Sequence, residues 1–178
     1  MQMPMTITPT IEKKALRYNF LSPSSTEGSV PTEAERRPAA PLGPGEKPLR
    51  VFIADDSRLV MERLVALLVT VEEVQIVGAA RTASAAIRGI HHLSPDLVIL
   101  DFQLPDGNGI DVLKAIKQST VPPLVMMLTN SAYPQYRTEC MQQGADYFFD
   151  KSLDFEQAVE TCRHLLSKTA IRSEEAKA

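Results

Sequence analysis

The run DLVILD, residues 96–101, decides the fold. Four apolar residues stand between two aspartates with no polar residue interleaved. A strand with one wet face alternates polar and apolar residues, whereas a strand covered on both faces reads as an unbroken apolar run. Four other segments share the signature: LRVFIA (49–54), VQIVGAA (74–80), PLVMML (123–128) and DYFFD (146–150). Between them the apolar period lengthens to that of a helix. Arg58–Thr70 carries Leu59, Val60, Leu64, Leu67 and Leu68. Thr82–Leu93 opens on a capping threonine and continues through Ala85, Ala86 and Ile90. Ile110–Gln118 repeats the stripe with Ile110, Leu113 and Ile116. Pro134–Gln143 has proline in its first turn and Gly144 at its C-terminal end, the usual asymmetry. The last helix opens at Asp154 and runs through Phe155, Ala158, Val159, Cys162 and Leu165. This alternation predicts an α/β fold, a doubly wound five-stranded parallel sheet with five helices on its two faces.

In such sheets sites form at the carboxyl ends of the strands. The first strand ends in Asp55-Asp56, the third in Asp101, the fourth in Thr129, and the fifth just before Lys151. Taken singly each has a plain structural use. Aspartate and serine cap helices and form turns, so Asp56 and Ser57 could start the first helix, and Asp106 and Asn108 read as turn residues. Lys151 could bury its stem and expose its head. Taken together, three carboxylates, a hydroxyl and an ammonium at separate strand ends call for a charge partner. Clustered carboxylates repel, and burial makes this worse. A divalent cation with hard oxygen ligands, Mg²⁺ above all, relieves it and favours sites completed by phosphate oxygens. One carboxylate can then attack a phosphoryl group, and Lys151 and the metal can neutralise the transferring oxygens.

The rest of the chain narrows the class. Eight of the 13 prolines fall within residues 1–48, and 22–48 is rich in Pro, Ser, Glu, Gly and Ala. Such a segment buries too little apolar area to offset its ordering entropy, which predicts a disordered extension over 1–48. The domain is expected over 49–168, with a tail at 169–178. The formal net charge of -3 gives no basic face for nucleic acid. No run reaches the length of a membrane helix and no secretory leader is visible, so the expected location is cytoplasmic. Cys140 and Cys162 form no metal or disulfide pattern and read as buried thiols. His91-His92 has no matching further ligand, and Met126-Met127 reads as strand core.

The motifs IADDS (53–57), VILDFQLPDGNG (98–109), MMLTNSA (126–132) and GADYFFDKS (144–152) together resemble the receiver domain of response regulators over about residues 49–168. The resemblance implies a flavodoxin-like sheet of order 2-1-3-4-5. It implies Asp101 as phosphoacceptor and Asp55, Asp56, Asp101 and the backbone carbonyl of Gln103 as Mg²⁺ ligands. It makes Thr129 the switch hydroxyl, Lys151 the partner of the phosphoryl group, and Phe148, three residues before it, the aromatic that moves with Thr129. Tyr147 stands one residue too early for that role. The implied partners are a sensor histidine kinase or a histidine phosphotransfer protein. Output would leave by the face of the fourth helix, fifth strand and fifth helix. Two positions depart from the family. Ser152 replaces the usual proline, so a trans bond is expected, a non-proline cis bond costing about 2.5–4 kcal/mol. Asn130 replaces a small residue and is expected to narrow access to the phosphoryl group.

Only the 12 residues SKTAIRSEEAKA follow Leu166, too few for a DNA-binding module, which predicts a stand-alone switch signalling by protein contact. The alternative is a receiver-like interaction module that works without phosphorylation; the complete Asp/Asp/Asp/Thr/Lys set argues against it. A dehalogenase-type phosphatase would need aspartate at Gln103. A flavodoxin would need a phosphate loop where the acidic DDSRLVM stands.

Overall fold

A computed structural model of the chain describes residues 47–71 and 73–175, with side chains described as far as Leu166. Apart from Lys47 and Pro48, the expected disordered extension 1–48 lies outside the described residues, as does 176–178. The elements run β1 (Leu49–Ala54), α1 (Arg58–Leu68), β2 (Val74–Ala80), α2 (Ala83–Leu93), β3 (Leu97–Leu100), β4 (Gln103–Leu104), β5 (Gly107–Asn108), α3 (Gly109–Lys117), β6 (Leu124–Thr129), α4 (Pro134–Gln142), β7 (Tyr147–Asp150) and α5 (Phe155–Glu175). Five strands form one parallel sheet of order β2-β1-β3-β6-β7. β4 and β5 are a short antiparallel ribbon apart from it, not foreseen in the sequence. With the ribbon set aside, the order is the expected 2-1-3-4-5.

Unbroken apolar strands are explained by two cores, one on each face. Successive side chains of a strand point to opposite faces. Val51, Ile53, Leu97, Ile99, Met126 and Leu128 meet α1 and α5 on one side. Phe52, Ala54, Val98, Leu100, Val125 and Met127 meet α2, α3 and α4 on the other. Met126 and Met127 are therefore strand core, as expected. Burying a large aliphatic side chain is worth roughly 1.5–3 kcal/mol; β3 is buried throughout and β6 everywhere but at its first residue, Leu124.

Local chemistry sets the helix starts. Ser57 Oγ accepts the Val60 amide, Thr82 Oγ1 that of Ala85 and Asn108 Oδ1 that of Asp111. Gly144 follows α4 with φ +96°, a left-handed conformation that glycine adopts without a Cβ penalty. At the start of α5 the Asp154 carbonyl accepts the Ala158 amide at 2.9 Å, and its carboxylate accepts the Asp150 amide at 3.1 Å, closing the loop behind Lys151. The α5 backbone continues to Glu175, past Lys168. Among the described residues no helix is long and apolar enough to cross a membrane.

Candidate functional site

Parallel strands leave their carboxyl ends side by side, and the backbone ladder fixes the residue at the end of each one. The Asp55 amide donates to the Ala80 carbonyl at 3.1 Å, Asp101 to Ala54 at 2.8 Å, and Lys151 to Thr129 at 2.9 Å. These bonds carry the sheet one residue further and bring Asp55, Asp101, Thr129 and Lys151 to one rim. All four side chains are buried, against the usual tendency of charged residues. Lys151 Nζ lies 2.6 Å from Asp55 Oδ2 and 2.7 Å from Asp101 Oδ2. Asp56 stands beside them, exposed to solvent. Oxygens of Asp55, Asp56 and Asp101 all lie within 4.8 Å of one another.

One ammonium cannot balance three carboxylates. Like charges about 4 Å apart repel by about 4 kcal/mol at an effective dielectric constant near 20. Burial pushes the Asp55 carboxyl above its ordinary value, a rise that the Lys151 ammonium opposes and the Asp101 charge reinforces. The donor set fits Mg²⁺: hard carboxylate oxygens, excess negative charge, and a rim open to solvent at Asp56. Gln103 is exposed on β4, paired with Asn108 and two residues beyond Asp101.

The raised Asp55 value has a stability consequence. Folding favours the protonated form, so between the ordinary value and the raised one the folded state binds more protons than the unfolded state. Stability of the metal-free protein therefore falls as pH rises through that window. Asp55→Asn is expected to raise the melting temperature at pH 7 without metal by a few degrees. The gain should shrink as pH is lowered toward 3.8, the ordinary value. Mg²⁺ should stabilise the parent more than the variant, which keeps two of the three carboxylates. Thermal unfolding across pH, with and without Mg²⁺, checks both signs.

Thr129 Oγ1 accepts the Ser131 amide at 3.1 Å, which fixes the oxygen and leaves its proton available to a neighbour. Phe148 is buried on the α2–α3–α4 side of the sheet. Tyr147 lies on the opposite face, stacked on Phe149 with centroids 6.4 Å apart. Asn130 and Ser152 are exposed. No cis peptide occurs among the described residues, so the bond before Ser152 is trans, as expected. The Ser152 amide, which a proline would lack, donates to Asp150 Oδ1 at 2.7 Å and closes the loop around Lys151.

Two features escaped the sequence. Asp106 is more than a turn residue: its carboxylate accepts the Ala83 and Ser84 amides at the N-terminus of α2 and is held below its ordinary value by Ser84 and these amides. Gly109 donates its amide to the Phe102 carbonyl at 2.7 Å, and a Cβ there would run into the Asp101 carbonyl, so only glycine fits behind the phosphoacceptor candidate. Neither could be read locally, because each partner is supplied by the fold. The other residues considered lie away from the rim. His91 and His92 stand at the far end of α2 from it. Cys140 and Cys162 are buried free thiols, pushed by burial up to about 11 and about 12. A cleft of about 590 Å³ opens near Arg50, His91 and Asp96, at the opposite end of the sheet from the carboxylates.

The family profile of the response regulator receiver domain matches residues 51–163. An uncharacterized response regulatory protein of Vibrio cholerae is 31% identical over 118 residues, 66% of this chain and 48% of the relative. The chain spans about half the length of the curated relatives it matches. Among solved structures, the receiver domain of the putative response regulator NarL from Mycobacterium tuberculosis superposes with a TM-score of 0.63 at 27% identity. That match covers 68% of this chain and 98% of the neighbour. A CheX–CheY–BeF₃–Mg²⁺ complex from Borrelia burgdorferi matches with a TM-score of 0.58 at 28% identity, covering 64% of this chain and 86% of that one.

Proposed function

The chain belongs to the response regulator receiver family of two-component systems, and from that premise we propose that it is a phosphorylation switch whose phosphoacceptor is Asp101. The observation that carries the reading is the buried Lys151 ammonium spanning Asp55 and Asp101 within a three-carboxylate cluster. An Asp101 carboxylate oxygen attacks phosphorus of a phosphohistidine on a sensor kinase or phosphotransfer protein. The phosphorus–nitrogen bond breaks and the imidazole leaves as the new oxygen–phosphorus bond forms. Lys151 moves from pairing two carboxylates to pairing the phosphoryl oxygens, and the Thr129 hydroxyl donates to another of them. Asp55, Asp56, Asp101 and the Gln103 backbone carbonyl would hold Mg²⁺. When bound there, Mg²⁺ supplies charge neutralisation to the phosphoryl oxygens. Water later cleaves the phosphorus–oxygen bond and returns Asp101 to its free form, so the chain catalyses its own resetting.

Loss of the free Asp101 charge and the pull on Thr129 bias a two-state equilibrium that includes Phe148. The surface of α4, β7 and α5 is the exit for the signal. Calorimetric titration with beryllofluoride tests the reading. Binding that requires Mg²⁺ and saturates at one site per chain is expected. A chain that binds Mg²⁺ yet never takes the phosphoryl mimic acts as the phosphorylation-independent interaction module.

A further inference from the structure

Helix α4 is the least anchored helix of the fold, and its attachments are specific. Cys140 is its one buried residue. Tyr133 at its start makes no side-chain capping bond. Beyond Cys140, two neighbouring side chains hold it, and both reach residues around the site. The Tyr136 ring lies 4.6 Å, centroid to centroid, from Phe102, the residue after Asp101. The Arg137 guanidinium lies 5.5 Å from the centre of the Phe148 ring, and its Nη1 donates to the Phe148 carbonyl at 3.2 Å. One side chain thus grips both the backbone and the ring of the switch aromatic.

The chemistry of phenylalanine makes this grip matter. A tyrosine in its place could hydrogen-bond through its hydroxyl, inward or outward. Phe148 has no such handle, so its position depends on burial and on whatever touches its ring and backbone. A cation over the ring face and a donor to the carbonyl both favour the buried position. We propose that Arg137 is the positioning residue that holds Phe148 inward and thereby couples α4 to the phosphoryl site. The coupling half of this inference rests on Asp101 being the phosphoacceptor. The hold on Phe148 does not. By linkage, whatever favours the inward ring raises affinity for the phosphoryl mimic, and the mimic in turn favours the inward ring.

The test labels the protein with fluorophenylalanine and assigns Phe148 among the six phenylalanines with Phe148→Leu. In the metal-free protein, Arg137→Ala is expected to move the Phe148 fluorine resonance toward that of a solvent-exposed ring. Affinity for beryllofluoride with Mg²⁺ is expected to fall about three- to tenfold. Affinity for Mg²⁺ alone should hold, because the grip of Arg137 is on Phe148 and not on the carboxylates. Arg137→Lys keeps the charge but not the two-point fork, and should restore part of both effects. An unmoved Phe148 resonance in Arg137→Ala overturns the inference. So does an equal loss of Mg²⁺ affinity, which would mean general damage. If the parent takes no beryllofluoride, the phosphoacceptor reading and the coupling fall together, while the fluorine shift still decides whether Arg137 holds the ring.

Discussion

Asp101→Asn is expected to lose phosphoryl acceptance completely while keeping the fold. The substitution preserves shape and removes only the anionic oxygen that forms the bond to phosphorus. No neighbour can take over. Both oxygens of Asp55 are engaged, one by Lys151 at 2.6 Å and the other by the Ser57 amide at 2.9 Å. Asp56 is exposed at the edge of the cluster, where water competes for its carboxylate. Intact mass after incubation with acetyl phosphate and Mg²⁺ reads the result, with circular dichroism as the check on folding. Because two of the three carboxylates remain, Mg²⁺ binding should weaken without vanishing. A variant that gains a phosphoryl group at the parent's rate would place the acceptor elsewhere.

Lys151→Met carries the largest expected effect on stability. Its ammonium pairs with two buried carboxylates at once. Removing the ammonium leaves the two buried carboxylates without their counter-charge, at a cost of about 3–5 kcal/mol. In a domain of this size that lowers the melting temperature by roughly 10 °C or more. Asp55, already disposed toward its protonated form, relieves part of the strain by taking up a proton, so the loss should be smaller at acid pH and larger at neutral pH. Mg²⁺ should stabilise the variant more than the parent, because it supplies the charge that the side chain no longer provides. Thermal unfolding with and without Mg²⁺ measures both effects. A melting temperature unchanged by the substitution would show that the ammonium does not hold the cluster together.

The legible part of this molecule was the part encoded by short-range pattern. Unbroken apolar runs such as DLVILD gave the covered sheet, and polar residues directly after those runs gave the rim, because strand ends in a parallel sheet must share one edge. Thr82 as a cap and Gly144 as a helix stop were equally local. What the pattern hid depends on contacts that form only once the chain is folded. Asp106 looks like any turn aspartate until the fold brings the α2 amides to it. The β4–β5 ribbon is too short for a period to register. Asp154 sits where a cap belongs, yet its carboxylate turns back to Asp150, a choice made by the loop around Lys151. The departure at Ser152 was visible, but its compensation was not: the amide that proline would lack finds Asp150 only once the loop is closed. Arg137 stood in a polar stretch with no motif to mark it.

The most direct measurement is the intact mass of the parent protein after incubation with acetyl phosphate, in the presence and absence of Mg²⁺. Addition of one phosphoryl group that requires Mg²⁺, and reverses on standing as the acyl phosphate hydrolyses, is the predicted result. No addition under either condition, in protein that binds Mg²⁺ and is folded, would contradict the assignment of this site as a phosphorylation switch.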